Sequence, residues 1–255
     1  MSFFNPFGEA PSILFKKVLE TPTLVVPRTS GILFDDLDLT LLKECQRLGA
    51  TSTHNPESIA LVRDKDRQYI HLSGLGLECL PTLIHRGPLN QNDLRGFYDS
   101  KQWVIKSSRG NKGIGHQLLS TDEVIDWWPK AINSFDQRYI IQPYLENLRE
   151  FRVLTIGHKS YTLEKINGKS WKKNASSSEF VEAKLTPQQE LELKRINASV
   201  IKATGLSSFA IDLFLKDSFQ IIEVNAHPGM SAASSALKTT ELYHQFLSYY
   251  LKLQP

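Results

Sequence analysis

Cysteine is almost missing: Cys45 and Cys79 are the only two in 255 residues, too few for a disulfide framework or a cysteine metal site. Excess charge is slight as well, +3 from 30 basic and 27 acidic residues. That balance makes no demand for nucleic acid and suits small anionic substrates or acidic peptides. No apolar run approaches the roughly 20 residues that span a bilayer. The start, MSFFNPFGEAPS, lacks the basic-then-apolar order of a signal peptide. Internal repeats, low-complexity tracts and long charge blocks are missing too. These absences leave a cytoplasmic enzyme or binding protein, with no membrane and no nucleic-acid partner, as the expectation. What is present is ordinary globular composition, 41% hydrophobic and 22% charged, with length for one large domain or two modest ones.

Along the chain, Leu24-Val25-Val26 reads as a short buried strand. Asp38 is placed to cap an amphipathic helix from Leu39 to Leu48, stopped by Gly49. Asn55-Pro56 is a cap followed by proline at the first helical position. The helix it opens runs through Ile59, Leu61 and Val62 to Tyr69, Ile70 and Leu72, and Gly74 and Gly76 end it. Within it, Asp64-Lys65 reads by itself as a surface charge pair. Pro81 to Ile84 begins a strand, and Trp103 to Lys106 is another.

After that strand come Gly110, Gly113 and Gly115. Glycines remove the Cβ atoms that keep a backbone away from a ligand, and successive N–H groups in such a loop can cradle phosphate oxygens. The spacing is neither a Walker sequence nor the Rossmann order. Ser120 and Glu123 are spaced as a capping box. Tyr139 to Leu145 reads as a buried strand entering a proline hinge, which can offer backbone hydrogen bonds to an adenine edge. Strands Phe151–Ile156 and Lys159–Ile166 follow, joined by Gly157-His158, in a segment rich in cations from Arg149 to Lys173. Thr186-Pro187 opens a helix with Leu193, Ile196, Val200 and Ile201 inward. A last amphipathic helix from Thr240 uses Leu242, Phe246, Leu247, Tyr250 and Leu251 and offers a face for a homo-oligomer.

The hairpin between those helices carries the chemistry. Apolar residues alternate at Phe209, Ile211, Leu213 and Leu215, and a second strand runs from Phe219 to Val224. With Asp217-Ser218 as the turn, Lys216 pairs with Phe219, Asp212 falls opposite Glu223, and Asn225 lies two residues further on the same face. Facing carboxylates repel. Mg²⁺, typically held by one or two carboxylates plus substrate phosphates, removes that penalty; a solvated acidic face is the ordinary alternative.

Taken in series, these segments resemble the ATP-grasp superfamily, in particular RimK-type glutamate ligases and bacterial glutathione synthetases. The resemblance runs over residues 50–235. It rests on Asn55-Pro56 through Asp64-Lys65 to Pro81-Thr82, on Lys106 with Gly110, Gly113 and Gly115, and on Gln142-Pro143-Tyr144-Leu145. Glu150-Phe151-Arg152 and Glu223-Val224-Asn225-Ala226-His227-Pro228-Gly229 complete it. It implies an α+β ATP-grasp fold over residues 55–255, two α+β lobes enclosing ATP, the first over about 80–145 and the second over 146–255. A shortened N-terminal α/β domain, residues 1–54, precedes them.

By that likeness Lys65 and Lys106 contact ATP phosphates, and the loop of Gly110, Gly113 and Gly115 closes over them. Gln142, Pro143, Tyr144 and Leu145 line the adenine pocket, and Glu150 reaches the ribose. Asp212, Glu223 and Asn225 hold Mg²⁺ (or Mn²⁺). Arg152, Lys165 and Asn174 bind the substrate carboxylate or steady its acyl-phosphate oxygens. The implied activity is carboxylate–amine ligation of an amino acid, a peptide or a protein terminus. Two departures stand out: Lys165 where the family has arginine, a point charge in place of a bidentate fork, and Ala175-Ser176-Ser177-Ser178 where it has an arginine and paired glycines. Transfer of phosphate to a hydroxyl and a non-catalytic nucleotide-binding module are the alternative readings.

Overall fold

The computed structural model describes residues 24–27, 36–110, 116–132, 138–146, 148–166 and 179–252. Expectations that fall on Gly113, Gly115 and Asn174 lie outside those residues. At the N-terminal side, β1 (Leu24–Val25) pairs in parallel with β2 (Thr51–Ser52), and α1 (Leu37–Arg47) connects them. Asp36, not Asp38, stands at the cap position of α1. Asp38 lies in the first turn, where its carboxylate is bound by Arg63.

Asn55 caps α2 (Pro56–Arg63) as expected, accepting the Glu57 N–H at 2.8 Å with proline at the first position. The single helix expected from Pro56 to Leu72 is instead two. Asp64 is extended (φ −90°, ψ 109°), and α3 (Lys65–Gly74) starts anew after it. The break is stabilised on the far side: the Lys65 N–H donates to the Ser108 carbonyl, and the Asp64 carboxylate accepts from two arginines. Asp64 and Lys65 are 0% and 3% exposed, so the surface-pair reading is wrong. Ile70, expected inward, faces solvent.

A short helix, α4 (Gln91–Phe97), leads into a three-stranded antiparallel sheet of order β4-β3-β5: β3 (Gln102–Ser107), β4 (Gln117–Ser120) and β5 (Tyr139–Pro143). One face, with Trp103, Ile105 and Ile141, packs on Val124 and Trp128 of α5 (Thr121–Ile132). The Ser120–Glu123 capping box is present in both directions. The segment from Pro81 to Ile84 forms no strand of its own; Leu83 makes a single bridge to Ile141.

The larger sheet is antiparallel, in the order β10-β9-β6-β7-β8. Its strands are β6 (Arg149–Ile156), β7 (Lys159–Ile166), β8 (Glu179–Glu182), β9 (Ser208–Leu215) and β10 (Phe219–Asn225). Period-two alternation sends Phe151, Val153, Phe209, Ile211 and Leu213 to one face. There they meet Leu193 and Val200 of α6 (Pro187–Thr204) and Ile59 and Val62 of α2. Helix α6 is held by a Thr186–Gln189 capping box and stops at Gly205, whose φ of +69° is the left-handed region glycine favours. Its Ile201 is half exposed rather than inward.

The opposite face divides. One end packs Leu154, Leu163 and Ala210 against Leu242, Phe246 and Tyr250 of α8 (Glu241–Leu251), which follows the short α7 (Ser231–Ala236). Leu247 and Leu251 of α8 point outward, 44% and 57% exposed, contrary to expectation. The other end of that face is polar, and it holds the site. Among the described residues, no helix is long and apolar enough to cross a membrane.

Candidate active site

The register of the β9–β10 hairpin fixes the site. Phe219 pairs with Leu215, not with Lys216, so the loop is one residue longer than expected. A bulge between Ile221 and Glu223 then restores the count, and Asp212 faces Glu223 after all, with Asn225 opposite Ala210. The bulged Ile222 offers its carbonyl to the Tyr69 hydroxyl of α3. Beside it the buried Gln68 amide donates to Val224 O at 2.9 Å and accepts from Val224 N at 2.8 Å. Two side chains of α3 thus hold β10 at the point where its register changes.

On this face Asp212 pairs across to Arg152 of β6. Arg152 donates from Nε and Nη2 to the two Asp212 oxygens at 2.6 and 2.7 Å, a two-pronged ion pair. Burial pushes the Asp212 carboxyl up, but the Arg152 charge and its hydrogen bonds, with Lys165 and Lys106 beyond, overcome it and hold the pKa below the ordinary value. Burial likewise opposes the Arg152 charge, and Asp212 more than compensates. One step along, Glu150 faces Lys165 of β7, whose Nζ lies 2.7 Å from Glu150 Oε1. The Phe180 ring lies below both cations, 5.4 Å from the Arg152 guanidinium and 5.9 Å from the Lys165 ammonium.

Two lysines reach the same acidic patch from the smaller sheet and α3. Lys65 Nζ donates to Gly110 O at 2.9 Å and lies 3.3 Å from Glu223 Oε1. Lys106 lies next to the end of β3, on the sheet face shared with Ile140 and Gln142. Burial pushes its pKa down to about 8; Glu223 resists this and the Lys65 charge adds to it. Lys65, Lys106, Gly110, Arg152, Asp212 and Glu223 therefore come together as the sequence suggested.

The hinge residues line the seam between the sheets. Gln142 is fully buried and donates to Thr82 Oγ1 at 2.8 Å, Pro143 ends β5, and Tyr144 N–H donates to Gln102 O. Leu145 joins Tyr69, Leu80, Ile140 and Phe214 in a small apolar cluster. Phe214 is two residues from Asp212 on the same face and pairs with Glu150, so the seam borders the acidic patch.

Sequence reasoning missed the ionic knot behind Lys65. Asp64 accepts from Arg109 and from Arg138 Nη2 at 2.6 Å, and Asp66 accepts from Arg86 at 2.6 Å, Arg138 at 3.1 Å and the Ser108 hydroxyl at 2.5 Å. These contacts clasp the end of β3 to the start of α3, with Lys65 between. The motif Asp-Lys-Asp was visible in the chain, but partners up to 74 residues away have no local signature.

Among the described residues no three His, Cys, Asp or Glu side chains are grouped to hold a metal ion. The available donors are two carboxylates on one face and the nearby Asn225 amide, an all-oxygen set that fits a hard cation completing its shell with phosphates and water.

The fold and this array of cations beside facing carboxylates suit an enzyme that handles a nucleotide. A family model, the RimK-like ATP-grasp domain, matches residues 63–249; the chain belongs to the RimK-like ATP-grasp family, and it is an ATP-dependent carbon–nitrogen ligase. Two relatives show how far the likeness reaches. A probable alpha-L-glutamate ligase of Halorhodospira halophila is 25% identical over 92% of this chain and 78% of its own. Human N-acetylaspartylglutamate synthase A is 25% identical over 88% of this chain, which spans 59% of that protein.

Among solved structures, the D-alanine–D-alanine ligase of Bacillus anthracis superposes with a TM-score of 0.73 at 18% identity, over 96% of this chain and 85% of that one. The same enzyme complexed with ATP superposes at 0.66 and 19% identity, over 84% and 75%. At such identities the superpositions speak for the ATP-grasp fold alone.

Proposed function

We propose that this chain joins the carboxyl group of an amino acid or peptide to an amine, with glutamate, named in both relatives, as one of the two. ATP is the phosphoryl donor: a substrate carboxylate oxygen attacks the γ-phosphorus, ADP leaves, and an acyl phosphate forms. The amine then adds to the acyl carbon, the tetrahedral adduct expels phosphate, and a proton is lost from nitrogen. No protein nucleophile is required. The protein positions the reactants and offsets charge in a partly water-free site.

In this reading Lys65 and Lys106 bind the phosphates. Arg152 and Lys165 take the substrate carboxylate and the oxygens of the acyl phosphate, and Asn174 is proposed for the same role. Gly110, Gly113 and Gly115 cover the phosphates. Gln142, Pro143, Tyr144 and Leu145 line the adenine site, with Glu150 toward the ribose. Asp212, Glu223 and Asn225 would hold Mg²⁺, which supplies neutralisation of phosphate charge when bound.

The observation that carries the proposal is the convergence of Arg152, Lys65 and Lys106 on the facing carboxylates Asp212 and Glu223. The hydroxyl-phosphorylating alternative drew on the basic segment from Arg149 to Lys173. Among the described residues of that segment, Arg149 is paired with Glu164 and Lys165 with Glu150, and neither pairing favours it. The test is a screen of amino acids and short acidic peptides for ADP release that requires both acid and amine, with mass spectrometry of the amide. Hydroxylamine in place of the amine should yield the hydroxamate. A stable phosphorylated product formed without an amine would overturn the proposal.

A further inference from the structure

The facing carboxylates already have counter-cations, supplied by the protein itself. Both Asp212 oxygens receive hydrogen bonds from the Arg152 fork, and Glu223 has the Lys65 ammonium 3.3 Å away. Around them the patch is slightly cationic: Asp212, Glu223 and Glu150 are met by Arg152, Lys165, Lys65 and Lys106. The Arg152 and Asp212 side chains are 13% and 14% exposed, so solvent and salt screen the pair only weakly.

We propose that Arg152 and Lys65 hold the places of divalent cations at Asp212 and Glu223, so that the site accepts metal only together with, or after, the nucleotide. This rests on the metal role given to those carboxylates above. A free dication approaching the patch meets net positive charge and must compete with a guanidinium whose planar fork fits a carboxylate on both oxygens. A triphosphate reverses both terms. Its oxygens draw Lys65, Lys106 and Arg152 away from the carboxylates and bring negative charge that favours the metal. Through the exchange neither carboxylate is left buried without a counter-charge, the state that costs most. Arg152, once released, faces the transferred phosphoryl group with its donors free. The device therefore couples metal loading to nucleotide loading through one arginine and one lysine.

Mn²⁺ binding, followed by the loss of the free-ion EPR signal at pH 7 beyond that caused by the analogue alone, tests this on the full chain with and without a non-hydrolysable ATP analogue. Wild-type protein should bind Mn²⁺ at least about tenfold more tightly with the analogue than without it. Arg152→Gln should bind Mn²⁺ without nucleotide at least about tenfold more tightly than wild type, the effect of removing one unit charge about 5 Å from a dication even at water-like screening. Lys65→Met should move the same way, and Arg152→Lys, which keeps the charge without the fork, should fall between. Wild-type affinity independent of nucleotide, or an Arg152→Gln variant with native circular dichroism that binds no better, would overturn the inference while leaving the ligase reading intact. The wild-type comparison needs no variant to fold. If Asp212→Asn leaves Mn²⁺ uptake with the analogue unchanged, the metal role itself fails, and this inference with it.

Discussion

In the proposed reaction Glu223 and Asp212 are the residues on which the chemistry depends most narrowly. Glu223→Gln keeps size and shape but removes the charge, so amine-dependent ADP release should fall about 100-fold or more while the melting temperature stays near wild type. Unchanged turnover would take Glu223 out of the catalytic machinery. Lys106 gives a pH signature. Its pKa of about 8 lies below the ordinary lysine value, so it is charged below about pH 8 and neutral above. A bound triphosphate favours the charged form and raises that pKa. Nucleotide affinity should therefore weaken as pH rises through 8, and binding near pH 8 should take up protons. Calorimetry in two buffers of different ionisation enthalpy reads that uptake, and Lys106→Gln should abolish it. The pairing of Asp212 with Glu223 was legible by counting register from a two-residue turn at Asp217-Ser218, but for an incomplete reason. The loop is one residue longer than a two-residue turn, and the bulge at Ile222 cancels the shift. A bulge leaves no mark in the hydrophobic pattern. Its supports, Tyr69 and Gln68, lie on a helix some 150 residues earlier in the chain.

Elements joined by tight turns and buried polar ties carry the next set of expectations. Gly157 connects β6 to β7 with φ +59°, and a Cβ there would collide with the Tyr249 ring on α8. Gly157→Ala combines backbone strain with a clash and should cost about 1–3 kcal/mol in chemical denaturation. Gln68→Ala should cost about 2–4 kcal/mol, because it strands the buried Val224 N–H and carbonyl, and it should lower nucleotide affinity by loosening β10. Caps and turn residues made several element starts readable: Asn55-Pro56, Ser120 with Glu123, and Thr186-Pro187 all stand where local chemistry placed them. The missed break at Asp64 has the opposite character. Helical periodicity runs straight through it, and the Ser108 carbonyl and two arginines in the loops flanking β3 and β5 hold the chain there. The outward faces of Ile70, Ile201, Leu247 and Leu251 were unreadable for a similar reason: apolar periodicity gives a helix its stripe without saying how wide a neighbour covers it.

At the scale of the molecule, two sheets meet along a seam that Asp64 and Asp66 secure. Burial would raise the Asp64 carboxyl, but Arg109 and Arg138 hold it below the ordinary value. A depressed carboxyl contributes stability that is present above its unfolded pKa of about 4 and lost as pH falls through the folded one. Asp64→Ala leaves two arginines facing a vacated pocket and should cost about 3–5 kcal/mol; a loss under 1 kcal/mol in urea would show the knot to be incidental. The same knot seats Lys65 between Gly110 and Glu223, which links the stability of the seam to the geometry of the site. The central claim is that this site makes an acyl phosphate from ATP and a carboxylate. It is tested most directly with substrate labelled by ¹⁸O in its carboxylate. An acyl phosphate route delivers one labelled oxygen to the released phosphate for each amide formed; amide made with unlabelled phosphate would contradict it.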